Sequence, residues 1–290
     1  MPVLISDHRT MSVVSLDLDT PTPPVSLRGS PDGAETFALP CGIAVRPGGG
    51  FLVADRGNDR IVECADLTGT GWRTLGSRGG GELQFAAPSG VAVDGAGRVL
   101  VADTGNHRIV RVDDLSGAGW TTFGTFGRPT ADDPAAVGTF AQPLAVAVDG
   151  LGRVLVADPD AGRVVRFDSM TGAGWVSAGA TTDPLWRLGG PVSVAPLTGD
   201  GIVVAELAAN GISRYDGFPA TAPARLRDLP GHAPLRAPSS VAVDGTDLVV
   251  CDVALNRLVV LRRDAAGFAP RTELRLGTVD IRRPFAVCAN

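Results

Sequence analysis

An internal repeat constrains this 290-residue chain more than any other feature. Six times a proline is followed, three residues later, by a Val-Ala-Val-like trio. The pairs are Pro40 with Ile43-Ala44-Val45, Pro88 with Val91-Ala92-Val93, Pro143 with Val146-Ala147-Val148, Pro191 with Val194-Ala195, Pro238 with Val241-Ala242-Val243, and Pro284 with Val287-Cys288-Ala289. The prolines step by 48, 55, 48, 47 and 46 residues. A large apolar residue stands three places before each: Phe37, Phe85, Phe140, Leu188, Leu235 and Ile281. A period of this length marks a stack of supersecondary units rather than one irregular domain.

Each unit continues with an apolar strand that ends in an acid, at Asp55, Asp103, Asp158, Glu206 and Asp252. A third strand follows, and in the first three units a Gly-x-Gly-Trp turn (Trp72, Trp120, Trp175) leads to a fourth. Gly and Pro, 38 and 22 in number, supply the turns that many short strands need. Four short strands in a unit of about 45 to 50 residues is the pattern of a propeller blade. The sixth unit has only an inner strand before the chain stops. Its missing strands are predicted at the other end, where Val3-Leu4-Ile5-Ser6-Asp7 repeats the acid-ended strand. Ser12 to Asp17 and Val25 to Leu27 then repeat the third and fourth strands. The expected fold is therefore all-β: a single domain over 1–290, a six-bladed β-propeller of four-stranded antiparallel blades. Blades one to five start near 40, 88, 143, 191 and 238. Blade six combines 284–290 with about 1–30, so pairing of the chain ends closes the ring and removes the open edge.

Pro88-Ser89-Gly90-Val91-Ala92-Val93-Asp94 and Val101-Ala102-Asp103-Thr104-Gly105-Asn106-His107-Arg108-Ile109 resemble the NHL-repeat family. The resemblance extends over nearly the whole chain, with blades four, five and six furthest from the consensus. It implies the propeller fold and is silent on activity, because scaffolds and enzymes share that fold.

Composition excludes several chemistries. The chain has no lysine, so all 26 basic residues are arginine, and Schiff-base and P-loop chemistry are ruled out. A net charge of −5 argues against nucleic acid or an anionic membrane as partner. Three histidines and four cysteines without a CxxC pair give no zinc pattern, unlike the His-rich propeller lyases and amidating lyases. With no apolar run of membrane-spanning length and no signal-like start, the expectation is a cytoplasmic monomer with reduced cysteines.

Most of the strand-ending acids have an arginine five residues on: Asp55 with Arg60, Asp103 with Arg108, Asp158 with Arg163, Asp252 with Arg257. These are expected to be structural ion pairs. Blades four and six break the pattern, with Gly211 after Glu206 and Ser12 after Asp7. A carboxylate without its counter-charge points to ligand or proton chemistry. Glu206, Asp7, His8 and Arg9 are therefore the candidate catalytic groups. The second-to-third-strand loops and the residues after each proline share one mouth of the channel. That places Cys41, Ser89, Leu144, Val192, Ser239 and Phe285 in the candidate binding surface, with His107, Trp186 and Arg187 beside it. Arg9 or Arg187 would grip an anionic group. Cys41 as a nucleophile is an alternative without a visible base. The insert Arg128 to Val137 and the proline-rich stretch Phe218 to Leu235, which carries His232, enter the same end, the first as an expected lid.

The expected function is binding of a small organic ligand or substrate, with redox-neutral acid/base catalysis of the lyase, cyclase, isomerase or hydrolase kind and no organic cofactor. A Ca²⁺ or Mg²⁺ on Asp7, Glu206 and Asp252 is the weaker alternative for the mouth. The alternative function is a non-catalytic scaffold with a protein partner on the same face. A scaffold should project apolar residues from the rim, and an enzyme should point acids into a deep hole.

Overall fold

The computed structural model describes residues 1–20, 23–130, 133, 136–179, 187–219, 222–264, 267–276, 281 and 284–289. They form a closed propeller of six four-stranded antiparallel sheets. From the inside outward, blade one runs Pro40–Val45, Phe51–Asp55, Arg60–Cys64, Arg73–Leu75. Blade two is Gly90–Val93, Val99–Asp103, Arg108–Val112, Thr121–Phe123, and blade three Ala145–Val148, Val154–Asp158, Arg163–Phe167, Val176–Ala178. Blade four is Pro191–Pro196, Ile202–Glu206, Gly211–Tyr215, Ala224–Leu226, and blade five Pro238–Asp244, Asp247–Asp252, Arg257–Asp264, Gly267–Arg275. Blade six joins Pro284–Ala289 to Pro2–Asp7, Ser12–Asp17 and Val25–Leu27. Leu4 pairs with Cys288 and Ile5 with Val287, so the two ends of the chain share one sheet.

The repeat has a packing cause. Six apolar clusters each bridge two neighbouring blades, and each contains one member of the large apolar ladder. Phe85, for example, is fully buried among Leu52, Ala54 and Ile61 of blade one and Val99 and Val101 of blade two. Phe37, Phe140, Leu188, Leu235 and Ile281 plug the other five joints. A buried side chain of this size contributes about 1.5–3 kcal/mol, so the residue is needed once per joint. Gly76 explains how Phe85 fits, because a Cβ there would lie 2.5 Å from the Phe85 ring. In blades one to three the turn tryptophan covers the arginine of the acid pair, with Arg60, Arg108 and Arg163 at 5.8, 5.8 and 5.4 Å from the Trp72, Trp120 and Trp175 rings.

Of the insert between blades two and three, residues 131–132 and 134–135 lie outside the described residues, and with them part of the expected lid. Its flanks form a two-stranded parallel pair, Thr125–Phe126 with Thr139–Phe140. Among the described residues no helix is long and apolar enough to cross a membrane.

Candidate functional site

In four blades the strand-ending acid stands opposite the proline that opens the inner strand. The register pairs Asp55 with Pro40, Glu206 with Pro191, Asp252 with Pro238 and Asp7 with Pro284. This puts the carboxylates under the segment leading into the inner strand, where they accept its backbone N–H groups. Ala38 donates to Asp55 at 2.7 Å, Ala86 to Asp103 at 2.8 Å, and Gln142 to Asp158 at 2.7 Å. The expected ion pairs are present: Arg60–Asp55 at 2.9 Å, Arg108–Asp103 at 2.8 Å, Arg163–Asp158 at 3.8 Å and Arg257–Asp252 at 3.0 Å. Burial raises the pKa of all four acids, opposed by these hydrogen bonds and arginines.

Both acids without the arginine five residues on have hydrogen-bond partners, and Glu206 also has a counter-charge from elsewhere. Glu206 is buried, accepts the Ser213 hydroxyl on Oε1 and the Gly189 N–H on Oε2 at 2.6 Å, and has Arg225 Nε at 4.0 Å. Asp7 is buried and accepts the N–H groups of Arg9 at 2.7 Å and Thr10 at 3.1 Å. The counter-charge for Glu206 comes from the outer strand rather than from five residues on. Ser213 carried a readable signal, since the other five blades have valine there (Val14, Val62, Val110, Val165, Val259). Asp7, Glu206 and Asp252 sit in three separate blades. Among the described residues no three His, Cys, Asp or Glu side chains gather as a metal site.

The residue after each acid and the residue after each proline stand at the mouth end of their strands. On one side these positions are polar: His8 and Arg56, with Cys41, Ser89 and Thr104 buried beneath the surface. On the other, Leu144, Pro159, Val192, Leu207, Val253 and Phe285 form an apolar arc interrupted by Ser239. Beneath them the channel is a cavity of about 290 Å³ walled by the inner strands, including Ser89, Leu144, Val192, Ser239 and Phe285. No described acid lines it.

His8 makes two close contacts at this end of blade six. Its Nε2 lies 3.3 Å from Cys41 Sγ, and its ring stacks on Phe285 at 4.2 Å and 16°. Cys41 Sγ also lies 3.4 Å from the Leu39 carbonyl. The thiol donates to the Leu39 carbonyl, and an imidazole protonated on Nε2 donates to the same sulfur. Burial pushes the Cys41 thiol up to about 12, against the downward pull of Arg56. The thiol is therefore protonated at neutral pH and a poor nucleophile. A sequence separation of 33 residues hid this pair. Arg9, next to His8, is exposed.

The remaining expected residues lie apart. His107 closes a joint between blades, with Nδ1 2.8 Å from the Ala141 carbonyl and Phe126 edge-on at 4.8 Å. Trp186 lies outside the described residues. Arg187 is exposed beside a second cavity, of about 580 Å³, at the seam of blades three and four. Its walls include Gly162, Glu206, Arg225 and Arg227. Arg225 donates to the Arg187 carbonyl across this cleft.

The rim also carries exposed apolar side chains: Met11 (37%), Leu39 (42%), Leu207 (40%) and Leu255 (36%).

The family model of the NHL repeat matches residues 85–112, which is the stretch from Phe85 through the third strand of blade two. No curated protein matches the sequence. Among solved structures, a chain of a nidogen/laminin complex is similar with a TM-score of 0.71 at 14% identity, over 99% of this chain and 97% of that one. A protein from Bacteroides caccae gives 0.69 at 14% identity, over 99% and 97%. A catalytically inactive histidine-to-alanine variant of virginiamycin B lyase from Staphylococcus aureus, with quinupristin, gives 0.64 at 13% identity, over 96% and 82%. At these identities the likeness establishes the propeller fold alone.

Proposed function

We propose that this propeller binds an amphipathic small organic molecule across the channel mouth and acts on it by redox-neutral acid/base chemistry. His8 carries the proposal, as an imidazole held between a thiol at 3.3 Å and a phenyl ring at 4.2 Å where the polar and apolar arcs meet. The polar end of the ligand meets His8 and Arg56, and its apolar body lies on Phe285, Val253, Leu207, Val192 and Leu144. His8 accepts a proton from the ligand and returns it to the departing atom, so no oxidant or organic cofactor is required. Asp7 and Glu206 are assigned to holding the blades, with Arg9 as an outer cation for an anionic group. Ser89, Ser239 and Cys41 shape the floor.

The probe for binding is 8-anilinonaphthalene-1-sulfonate, an apolar ring system with one anionic end. Its fluorescence on the native protein should titrate with an affinity that Arg56→Ala and Leu207→Ser each weaken about tenfold. Wild-type affinity in both variants removes the mouth as the site. Quinupristin tests catalysis: product formation that His8→Ala abolishes supports the acid/base role, and formation untouched by that change removes it.

A second proposal, a protein-binding scaffold, is favoured by the exposed Met11, Leu39, Leu207 and Leu255 and by the lack of described acids lining the channel. Its mark is a partner that Leu39→Ser and Leu207→Ser displace while His8→Ala does not.

A further inference from the structure

Five of the six joints between blades carry a side-chain latch at the same place. The residue that ends each second-to-third-strand loop is left-handed, at Met11, Asp59, His107, Asn210 and Asn256. Each meets the segment leading into the next inner strand. Leu39 N–H points at Met11 Sδ (3.1 Å), Ala87 N–H at Asp59 Oδ1 (2.7 Å) and Ala237 N–H at Asn210 Oδ1 (3.0 Å). His107 meets the Ala141 carbonyl and Asn256 donates to the Ile281 carbonyl at 2.9 Å. At the joint of blades three and four the position is Gly162, with a φ of 65° and no side chain to reach across. The cavity of about 580 Å³ opens at this joint.

Two further departures from the repeat fall in the same place. Gly211 occupies the site of the ion-pair arginine. Arg227 occupies the site where blades one to three have Gly76, Gly124 and Gly179 after the outer strand. The exchange is sterically coupled, since a Cβ on Gly211 would lie 2.8 Å from Arg227 Cγ. Arg225 is spent on Glu206 and on the Arg187 carbonyl. The exposed guanidinium groups of Arg187 and Arg227 form no ion pair among the described residues, although both line the cavity. Glu206 sits at the wall with its charge already met by Ser213, Gly189 and Arg225. Asp160, also at the wall, pairs with Arg128 at 3.3 Å.

We propose that this seam is a binding site for a small polyanion, a metabolite bearing a phosphate or several carboxylates. Arg187 and Arg227 hold its charged groups, and the small residues Gly162, Gly189 and Ala208 leave room for its body. Two arginines at the wall of one cleft supply the planar donor forks that phosphate and carboxylate oxygens accept. This site is separate from the channel mouth and does not depend on the function proposed for it.

Calorimetric titration of the full chain with inorganic pyrophosphate and with citrate tests the proposal. At least one should bind, with an affinity that falls as salt rises. Arg227→Gly, which restores the residue found in blades one to three, and Arg187→Ala should each weaken it about tenfold or more. Arg98→Ala, on a remote surface, should leave it unchanged. A response to only one probe tells phosphate from polycarboxylate recognition and supports the site either way. No binding of either probe, or wild-type affinity in both Arg227→Gly and Arg187→Ala, overturns it. Thermal unfolding of each variant near the wild-type temperature shows that the fold is intact.

Discussion

The Ala87 backbone N–H donates to Asp59 Oδ1 at 2.7 Å, tying the inner strand of blade two to the loop of blade one. In the opposite sense, the Asn256 side-chain amide donates to the Ile281 carbonyl at 2.9 Å and ties blade six to blade five. A left-handed residue with a short polar side chain suits this position, because it tolerates positive φ and reaches the neighbouring backbone. Asn256→Gly, which removes only the hydrogen bond, should therefore cost about 1 kcal/mol. Asn256→Ala should cost about 1–2 kcal/mol more, since alanine also resists positive φ. Gly162→Asn should gain about 0.5–1 kcal/mol by supplying the absent latch. Urea unfolding of the three variants gives the order directly.

The buried ion pair of blade five has its own signature. Arg257 and Asp252 are both buried, and the guanidinium also reaches Glu273 at 2.7 Å. Removing one partner strands a charge, so Arg257→Ala should cost about 3–5 kcal/mol. Arg98→Ala, which breaks the partly exposed pair with Asp94 at 2.7 Å, should cost under about 1 kcal/mol. Comparable losses in the two variants would contradict the structural role given to the strand-ending acids.

Much of this was legible in the sequence, and the reason is distance along the chain. The acid and its arginine are five residues apart on paired strands, so a repeat displays them together. Ring closure was readable because Val3 to Asp7 copies a strand whose partners recur every blade, and the ladder Leu4–Cys288 and Ile5–Val287 follows. The partners of Glu206 were not readable from the position after the acid, because Gly189 and Arg225 reach it from outside its own hairpin. Cys41 and His8 belong to different blades, and only the closed ring brings them together. The cleft at Arg227 required seeing that Gly211 and Arg227 exchange places across adjacent strands.

Buried cysteines set the alkaline limit, Cys288 included, whose thiol is also raised by burial. Burial pushes the thiols of Cys41, Cys64 and Cys251 up to about 12 from an ordinary 9.0, and the Tyr215 phenol is also raised. A thiol raised in the fold is neutral there while its unfolded counterpart ionises. The stability it contributes is complete below about 9 and drains away as pH rises toward about 12. The urea midpoint should fall steadily over that window, and replacing Cys64 by alanine should make the fall shallower. Iodoacetamide should leave Cys41 unmodified in the native protein at pH 8, against rapid reaction in urea.

The place of the ligand can be read from the imidazoles themselves. The chain has three histidines: His8 at the mouth, His107 at the joint of blades two and three, and His232, whose Nδ1 lies 3.1 Å from Glu273. Long-range proton–nitrogen correlation spectra resolve each ring during titration with 8-anilinonaphthalene-1-sulfonate. The His8 signals should move to saturation while those of His107 and His232 stay in place. A bound probe that leaves His8 unshifted would contradict the assignment of the mouth as the functional site.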